Sequence, residues 1–98
     1  MISQTARDAL KSRRRLELNY KGLIRVVEVH AVGFSQDNKL VARVWQVRGG
    51  SADSNNIGWK LLRLEQASGG AIINEASDAP RAGYKVGDRA IQRILCEV

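Results

Sequence analysis

Between Leu16 and Leu64 the apolar side chains alternate with polar ones, in short runs rich in β-branched residues and broken by glycine or polar turns. This pattern constrains the chain most, because a period of two lines up one apolar face only when the backbone is extended. Leu16, Leu18 and Tyr20 share one face of a first strand, and Glu17 and Asn19 share the other. Lys21-Gly22 supplies a hairpin turn, since glycine accepts positive φ. Leu23 to Gly33 then resumes with Ile24, Val26, Val27, Val29 and Val32. A polar turn from Ser35 to Lys39 leads into a third strand, Leu40 to Arg48. After a polar, glycine-rich loop from Gly49 to Asn56, Ile57 to Leu64 forms a fourth.

Ahead of the strands, Ile2, Ala6, Ala9 and Leu10 recur at three- and four-residue spacing, which predicts a short amphipathic helix from Ser3 to about Arg14. Thr5 and Asp8 are spaced like a capping box, and Arg7, Lys11 and Arg14 make the opposite face electropositive. The run Arg13-Arg14-Arg15 closes the helix, where basic residues complement the macrodipole or meet an anion. Both readings stand. After Glu65 the signal weakens: Ala67 to Gly70 and Ser77 to Gly83 are loop-like, with Ala71-Ile72-Ile73 between them. Residues 68–98 form an extension without firm assignment, apart from Ala90, Ile91, Ile94 and Leu95, which predict a short final helix capped by Asp88. The expected fold is therefore mainly β (α+β): an N-terminal helix, a small SH3/Sm-like antiparallel barrel and a short C-terminal helix, in a single domain over 1–98.

Charge is unevenly placed along this framework. Residues 1–48 hold ten basic and four acidic side chains, whereas residues 49–98 hold six of each, so the whole net charge of +6 lies in the front half. Concentrated positive charge attracts polyanions in a salt-dependent way. Arg outnumbers Lys, which favours planar, bidentate contacts with phosphates or base edges. No apolar run approaches the roughly 18 residues of a membrane span, and the opening Met-Ile-Ser-Gln-Thr-Ala-Arg lacks a signal peptide's apolar stretch. Cys96 and His30 are the only thiol and imidazole, too few for an intramolecular disulfide or a four-ligand zinc site, and no third group is placed to orient them as a catalytic pair. No P-loop or dinucleotide fingerprint occurs. The expectation is a cytoplasmic, non-enzymatic binding module with no cofactor, no metal and no membrane.

The order of motifs resembles the WYL domain, a small Sm- or SH3-like β-barrel module of bacterial and phage regulators. The resemblance covers about residues 5–67: a helix ending in basic residues, Ala9-Leu10-Lys11-Ser12-Arg13-Arg14-Arg15-Leu16; then Leu18-Asn19-Tyr20; then Arg25-Val26-Val27-Glu28-Val29. The tripeptide that names the family corresponds to Trp45-Gln46-Val47, and the downstream segment to Leu62-Arg63-Leu64-Glu65-Gln66-Ala67. Gln46 and Gln66 depart from the family's Tyr and second Arg, both at ligand-contact positions, so the ligand can differ. The resemblance implies a regulatory module that binds single-stranded nucleic acid or a nucleotide, here detached from any DNA-reading domain.

Alternation places Trp45 and Val47 on one face, expected to be core, and Gln46 and Arg48 on the other. Trp59, Leu61 and Arg63 share a face of the fourth strand, where Trp59 could stack on a base while Arg63 meets its phosphate. The competing reading makes Trp59 part of a second, smaller hydrophobic cluster. Tyr20 and Arg25 enter through the family pattern, Arg15 through the basic run, and His30 as a possible phosphate contact, although a lone strand histidine is more often an ordinary hydrogen-bonded residue. The candidate binding residues are thus Arg15, Tyr20, Arg25, His30, Gln46, Arg48, Trp59 and Arg63. The alternative function is a protein-interaction module whose basic face docks an acidic regulatory partner, with homodimerisation through a sheet edge.

Overall fold

The computed structural model describes residues 2–51, 53 and 55–98; Ala52 and Ser54, within the polar loop expected from Gly49 to Asn56, lie outside the described residues. Helix α1 (Ile2–Ser12) buries Ala6, Ala9 and Leu10. Thr5 and Asp8 sit inside the helix and not at its start, with Asp8 accepting from the Gln4 amide one turn back. Arg13 stops the helix in the left-handed region at φ +57°, so the basic run straddles a boundary and Arg14 and Arg15 already belong to the first strand.

Six strands follow: β1 (Arg14–Tyr20), β2 (Leu23–Phe34), β3 (Leu40–Gly49), β4 (Gly58–Arg63), β5 (Ala67–Ala76) and β6 (Arg93–Glu97). The molecule is mainly antiparallel sheet with one N-terminal helix. Its hydrogen-bonded path runs β4-β3-β2-β1-β5, with β6 joined to β2. Lys21 and Gly22, both at positive φ, form the two-residue turn that pairs Tyr20 with Leu23 and fixes the β1–β2 register. A single 3-10 turn, Leu64–Gln66, carries the chain from β4 to β5. The inner face collects Leu16, Leu18, Val27, Val29, Val32, Ala42, Val44 and Leu62 around Ala6, Ala9 and Leu10 of the helix. On the outer face a second cluster, Ala31, Val41 and Ile91, forms where residues from the C-terminal segment lie over β2 and β3. No helix among the described residues is long and apolar enough to cross a membrane.

Two expectations are corrected. The loop-like stretch Ala67 to Gly70 is the start of ten-residue β5, paired with β1. Its glycines serve the strand: Gly69, at φ +66°, lies where β5 gains one residue against β1, and a Cβ on Gly70 would stand 2.5 Å from Ile2 Cδ1 of the overlying helix. The expected C-terminal helix is instead strand β6. Strand β2 is twelve residues long, and β1 pairs with it only from Leu23 to Val27, so the same edge is bare from Ala31 to Phe34. Arg93 to Glu97 fills that gap and satisfies backbone groups that a helix would have left open. Local helical spacing loses to this unpaired edge.

Gly33 marks where β6 crosses, since a Cβ there would lie 2.2 Å from the Arg93 carbonyl and 2.5 Å from Ile91 Cγ2. Gly33→Ala is expected to destabilise the protein by about 2–3 kcal/mol, the upper part of the overpacking range, because the nearest obstacle is backbone. Urea unfolding checks the magnitude. Hydrogen exchange should show the amides of Arg93 to Glu97 losing protection first.

Candidate ligand site at the mouth of the barrel

Two β-bulges decide which side chains face the barrel interior. On β3, Val27 pairs with Gln46 and Val26 with Arg48, so Val47 is an extra residue between them. Gln46 therefore points inward, fully buried, whereas Arg48 points outward and is half exposed. Sequence alternation had put both on one outward face; the bulge separates them. On β2, Val29 pairs with Val44 and Ala31 with Arg43, which makes His30 the extra residue and turns it to the outer face beside Glu28. Trp45, directly opposite Glu28, is on that outer face too and not in the barrel core.

The outer face is organised by the Glu28 carboxylate, which has no exposure. It accepts from Arg15 Nε at 3.0 Å, Arg81 Nε at 2.6 Å and the Asp78 backbone N–H at 2.8 Å. Burial pushes its pKa up, but the hydrogen bonds from Arg81, Asp78 N–H and Arg15, with the charge of Arg81, outweigh that and hold it below the ordinary carboxylate value. His30 is just as buried. Its Nδ1 lies 2.9 Å from the Glu28 carbonyl oxygen and its Nε2 accepts the Arg81 backbone N–H at 3.0 Å, an arrangement that suits the neutral Nδ1–H tautomer. Burial is the first cause of its lowered pKa. Together Glu28 and His30 fasten the 77–81 segment onto β2. Trp59 completes this surface, with its ring 4.7 Å from His30 and 5.2 Å from Trp45, which is the small hydrophobic cluster of the competing reading.

Most of the expected outward guanidinium groups are occupied. Arg15 also meets Glu75 and Asp78. Arg48 holds Glu75 with both terminal nitrogens, at 2.9 and 2.5 Å, and Arg63 lies 3.4 Å from Asp37 and 3.9 Å from Glu65. Hydrogen bonds from Arg48 and then Arg15 hold the Glu75 carboxyl down to about 2. Arg43 pairs with Asp88, not with a cross-strand glutamate. These cations are dispersed and individually neutralised, so β3 and β4 present no shared guanidinium cluster.

The inward face tells the opposite story at the end of the barrel near the β1–β2 turn. Directly opposed residues share a face, so Arg25, opposite Leu18, and Lys60, opposite Val44, both point inward with Gln46. Arg25 is 3 % exposed and has no carboxylate within ion-pair distance among the described residues. Its Nη1 reaches Gln46 Oε1 at 3.5 Å and its Nη2 the Tyr20 carbonyl at 3.4 Å, both long, while Nε has no partner at all. The guanidinium lies over the Tyr20 ring, 4.9 Å from its centroid. Gln46 is held from its other end by donating to the Gly50 carbonyl at 2.9 Å. The Tyr20 hydroxyl, in turn, accepts the Arg63 backbone N–H at 3.0 Å and donates to Gln66 at 3.3 Å, which ties β1 to the β4–β5 seam.

A cavity of about 300 Å³ opens over this group, lined by Tyr20, Lys21, Arg25, Asp53, Trp59 and Lys60 among others. Lys60 Nζ is held at its rim by Ser51 Oγ at 3.0 Å and Asp53 Oδ1 at 2.8 Å. The bonds from Lys60, Ser51 and the Asn55 N–H lower the Asp53 carboxyl to about 2. Of the eight residues expected from sequence, Tyr20, Arg25 and Gln46 converge here and Trp59 reaches the rim; Arg15 and His30 belong to the outer network, and Arg48 and Arg63 lie on the surface. Lys60 was missed. Its inward parity with Leu62 was legible, but a lysine on an apolar face reads as a solvated side chain until the opposite strand is known.

No protein-family model, no curated protein and no solved structure matches the chain.

Glu28→Gln is expected to cost about 3 kcal/mol in urea unfolding at neutral pH, the low end for breaking a buried pair, because Arg15 and Arg81 retain Asp78 and water. Glu75→Gln on the exposed rim should change stability little. Stability should also fall with acidification in two stages. His30 has a lowered folded pKa, so its contribution is complete above about 6.5 and declines below it as only the unfolded chain takes up the proton. Glu28, Asp88, Asp53 and Glu75 also have lowered values, so a second loss follows below about pH 4.5. Urea midpoints measured from pH 8 to pH 3 check both stages; a rise in midpoint on passing from pH 7 to pH 5 would contradict the sign.

Proposed function

We propose that the protein is a WYL-type, non-enzymatic ligand-binding module whose barrel mouth takes the phosphate of a nucleotide or of single-stranded nucleic acid, in a regulatory or accessory setting. The observation that carries this reading is Arg25: a guanidinium almost wholly removed from water, without a carboxylate and with an unpartnered Nε, placed on an aromatic ring at the floor of an open cavity. Burying a charge unpaired costs several kcal/mol, so a fold that maintains one gains from an anion that completes it. A phosphate suits the planar fork of an arginine, and Lys21 and Lys60 at the rim add to the attraction. Asp53 neutralises one of those three cations, which leaves the cavity net positive. Tyr20, Arg25 and Gln46 sit in the segments that carry the WYL resemblance, and that family-level reading rests on those segments and the order of elements alone.

The alternative is docking of an acidic protein against a basic face, and three of the arginines expected from sequence to form that face are taken. Arg15, Arg48 and Arg63 are each engaged by carboxylates. This favours a pocket over a face.

Arg25→Met separates binding from folding. It keeps the stem and removes an unpaired buried charge, so the variant is expected to melt at the wild-type temperature or higher, while affinity for 5′-mononucleotides falls at least tenfold. Isothermal titration calorimetry at two salt concentrations measures the affinity, and thermal unfolding measures the stability. Mononucleotide binding that is unaltered in Arg25→Met, or undetectable in the wild type at low salt, overturns the reading.

A further inference from the structure

We infer that the loop from Gly83 to Arg89 adds a second subsite to the Arg25 pocket, so that the preferred ligand is an oligonucleotide strand of two or more residues, not a mononucleotide. The inference rests on the Arg25 reading but uses a separate feature, since these residues lie outside the segments that carry the family resemblance.

The loop walls a cleft of about 700 Å³ lined by Arg43, Trp59, Tyr84, Lys85, Asp88 and Arg89, with neighbouring loop residues. Trp59, on β4, is the residue that borders both this cleft and the Arg25 cavity. Its indole ring makes T-shaped contacts with His30 and Trp45 and lies 6.1 Å from the Tyr84 ring, so it is half-buried and only part of it is open to a ligand. Its Nε1–H makes no hydrogen bond among the described residues and faces Gly83, where an added Cβ would lie 3.6 Å away. That is ordinary van der Waals contact, and Gly83 is itself at φ +92°.

The charges of the cleft are arranged differently from those on the strands. Asp88 is engaged by Arg43, at 2.5 Å to Nε, and by the Ala90 backbone N–H. Glu97, just beyond the lining, is occupied by the Tyr84 hydroxyl at 2.7 Å and the Gly87 N–H at 3.3 Å. Lys85 and Arg89 are exposed and have no carboxylate within ion-pair distance among the described residues. The cations of the two cavities, Arg25 and Lys60 in one and Lys85 and Arg89 in the other, thus lie on either side of Trp59. Cation, aromatic, cation in series complements phosphate, base, phosphate, and stacking on an indole tolerates any base. One strand crossing both cavities would neutralise at least two phosphates, which makes its affinity more steeply salt-dependent than that of a mononucleotide.

The test uses 5′-phosphorylated deoxythymidine oligomers of one, two and four residues, titrated against wild type and the double variant Lys85→Ala plus Arg89→Ala. Both substituted side chains are exposed, so folding should be unaffected, and circular dichroism verifies this. Wild type is expected to bind the dimer and tetramer at least about tenfold more tightly than the monomer, the gain of roughly one stacked base. In the double variant that gain should shrink to less than about threefold, with monomer affinity unchanged. Tryptophan fluorescence should be quenched by the oligomers and much less by the monomer. If the monomer binds but lengthening it adds nothing, or the double variant keeps the full gain, the second subsite is overturned while the Arg25 reading stands. If no oligomer of any length binds, both fall.

Discussion

A carboxylate buried with more partners than it needs holds this molecule in its shape. Glu28 sits at the centre of the longest strand, on its outer face, and reaches β1 through Arg15 and the C-terminal segment through Asp78 and Arg81. A charge in that position is tolerable only when surrounded by donors, so the chain after β5 is obliged to return over the sheet. That return is what covers Trp45 and Trp59, brings Tyr84 beside them and delivers β6 to the bare edge of β2. His30, turned to the same face by its bulge, adds a second hold on Arg81 through that residue's backbone N–H.

The same strand carries the opposite case on its other face. Arg25 lies three residues before Glu28 and is nearly as buried, yet it has two long contacts to neutral oxygens and one nitrogen with none. The Glu28 network is closed, and its groups explain one another. The Arg25 group is open: its Nε has no partner and its two other contacts are long. This asymmetry separates a closed ionic group from an open one more sharply than the count of positive charges, since on β3 and β4 Arg43, Arg48, Lys60 and Arg63 each meet a carboxylate.

The candidate site was partly visible in the chain. Tyr20 and Arg25 entered through the family resemblance, and the structure brings them into contact. Gln46 was expected to point outward with Arg48, and a single extra residue at Val47 reverses that. Bulges leave no mark in a pattern of period two, because Val47 stands between the polar Gln46 and Arg48 just as an in-register strand residue would. His30 shows the same limit on β2. Strand β5 was hidden for another reason: its two glycines read as a turn, whereas they serve a bulge and a close approach of the helix.

Residue pattern alone determined that the chain begins with an amphipathic helix, continues as four antiparallel strands joined by short turns, and carries its excess positive charge in the front half. Those are local matters of periodicity, turn chemistry and composition. Tertiary structure decided which face of each strand became the interior, which cations found carboxylates and which did not, and that residues 93–97 extend instead of coiling. The reason is physical: side-chain parity, ion pairing and edge completion depend on what lies across the sheet, in places more than sixty residues away in the chain, and no window along the sequence contains that partner.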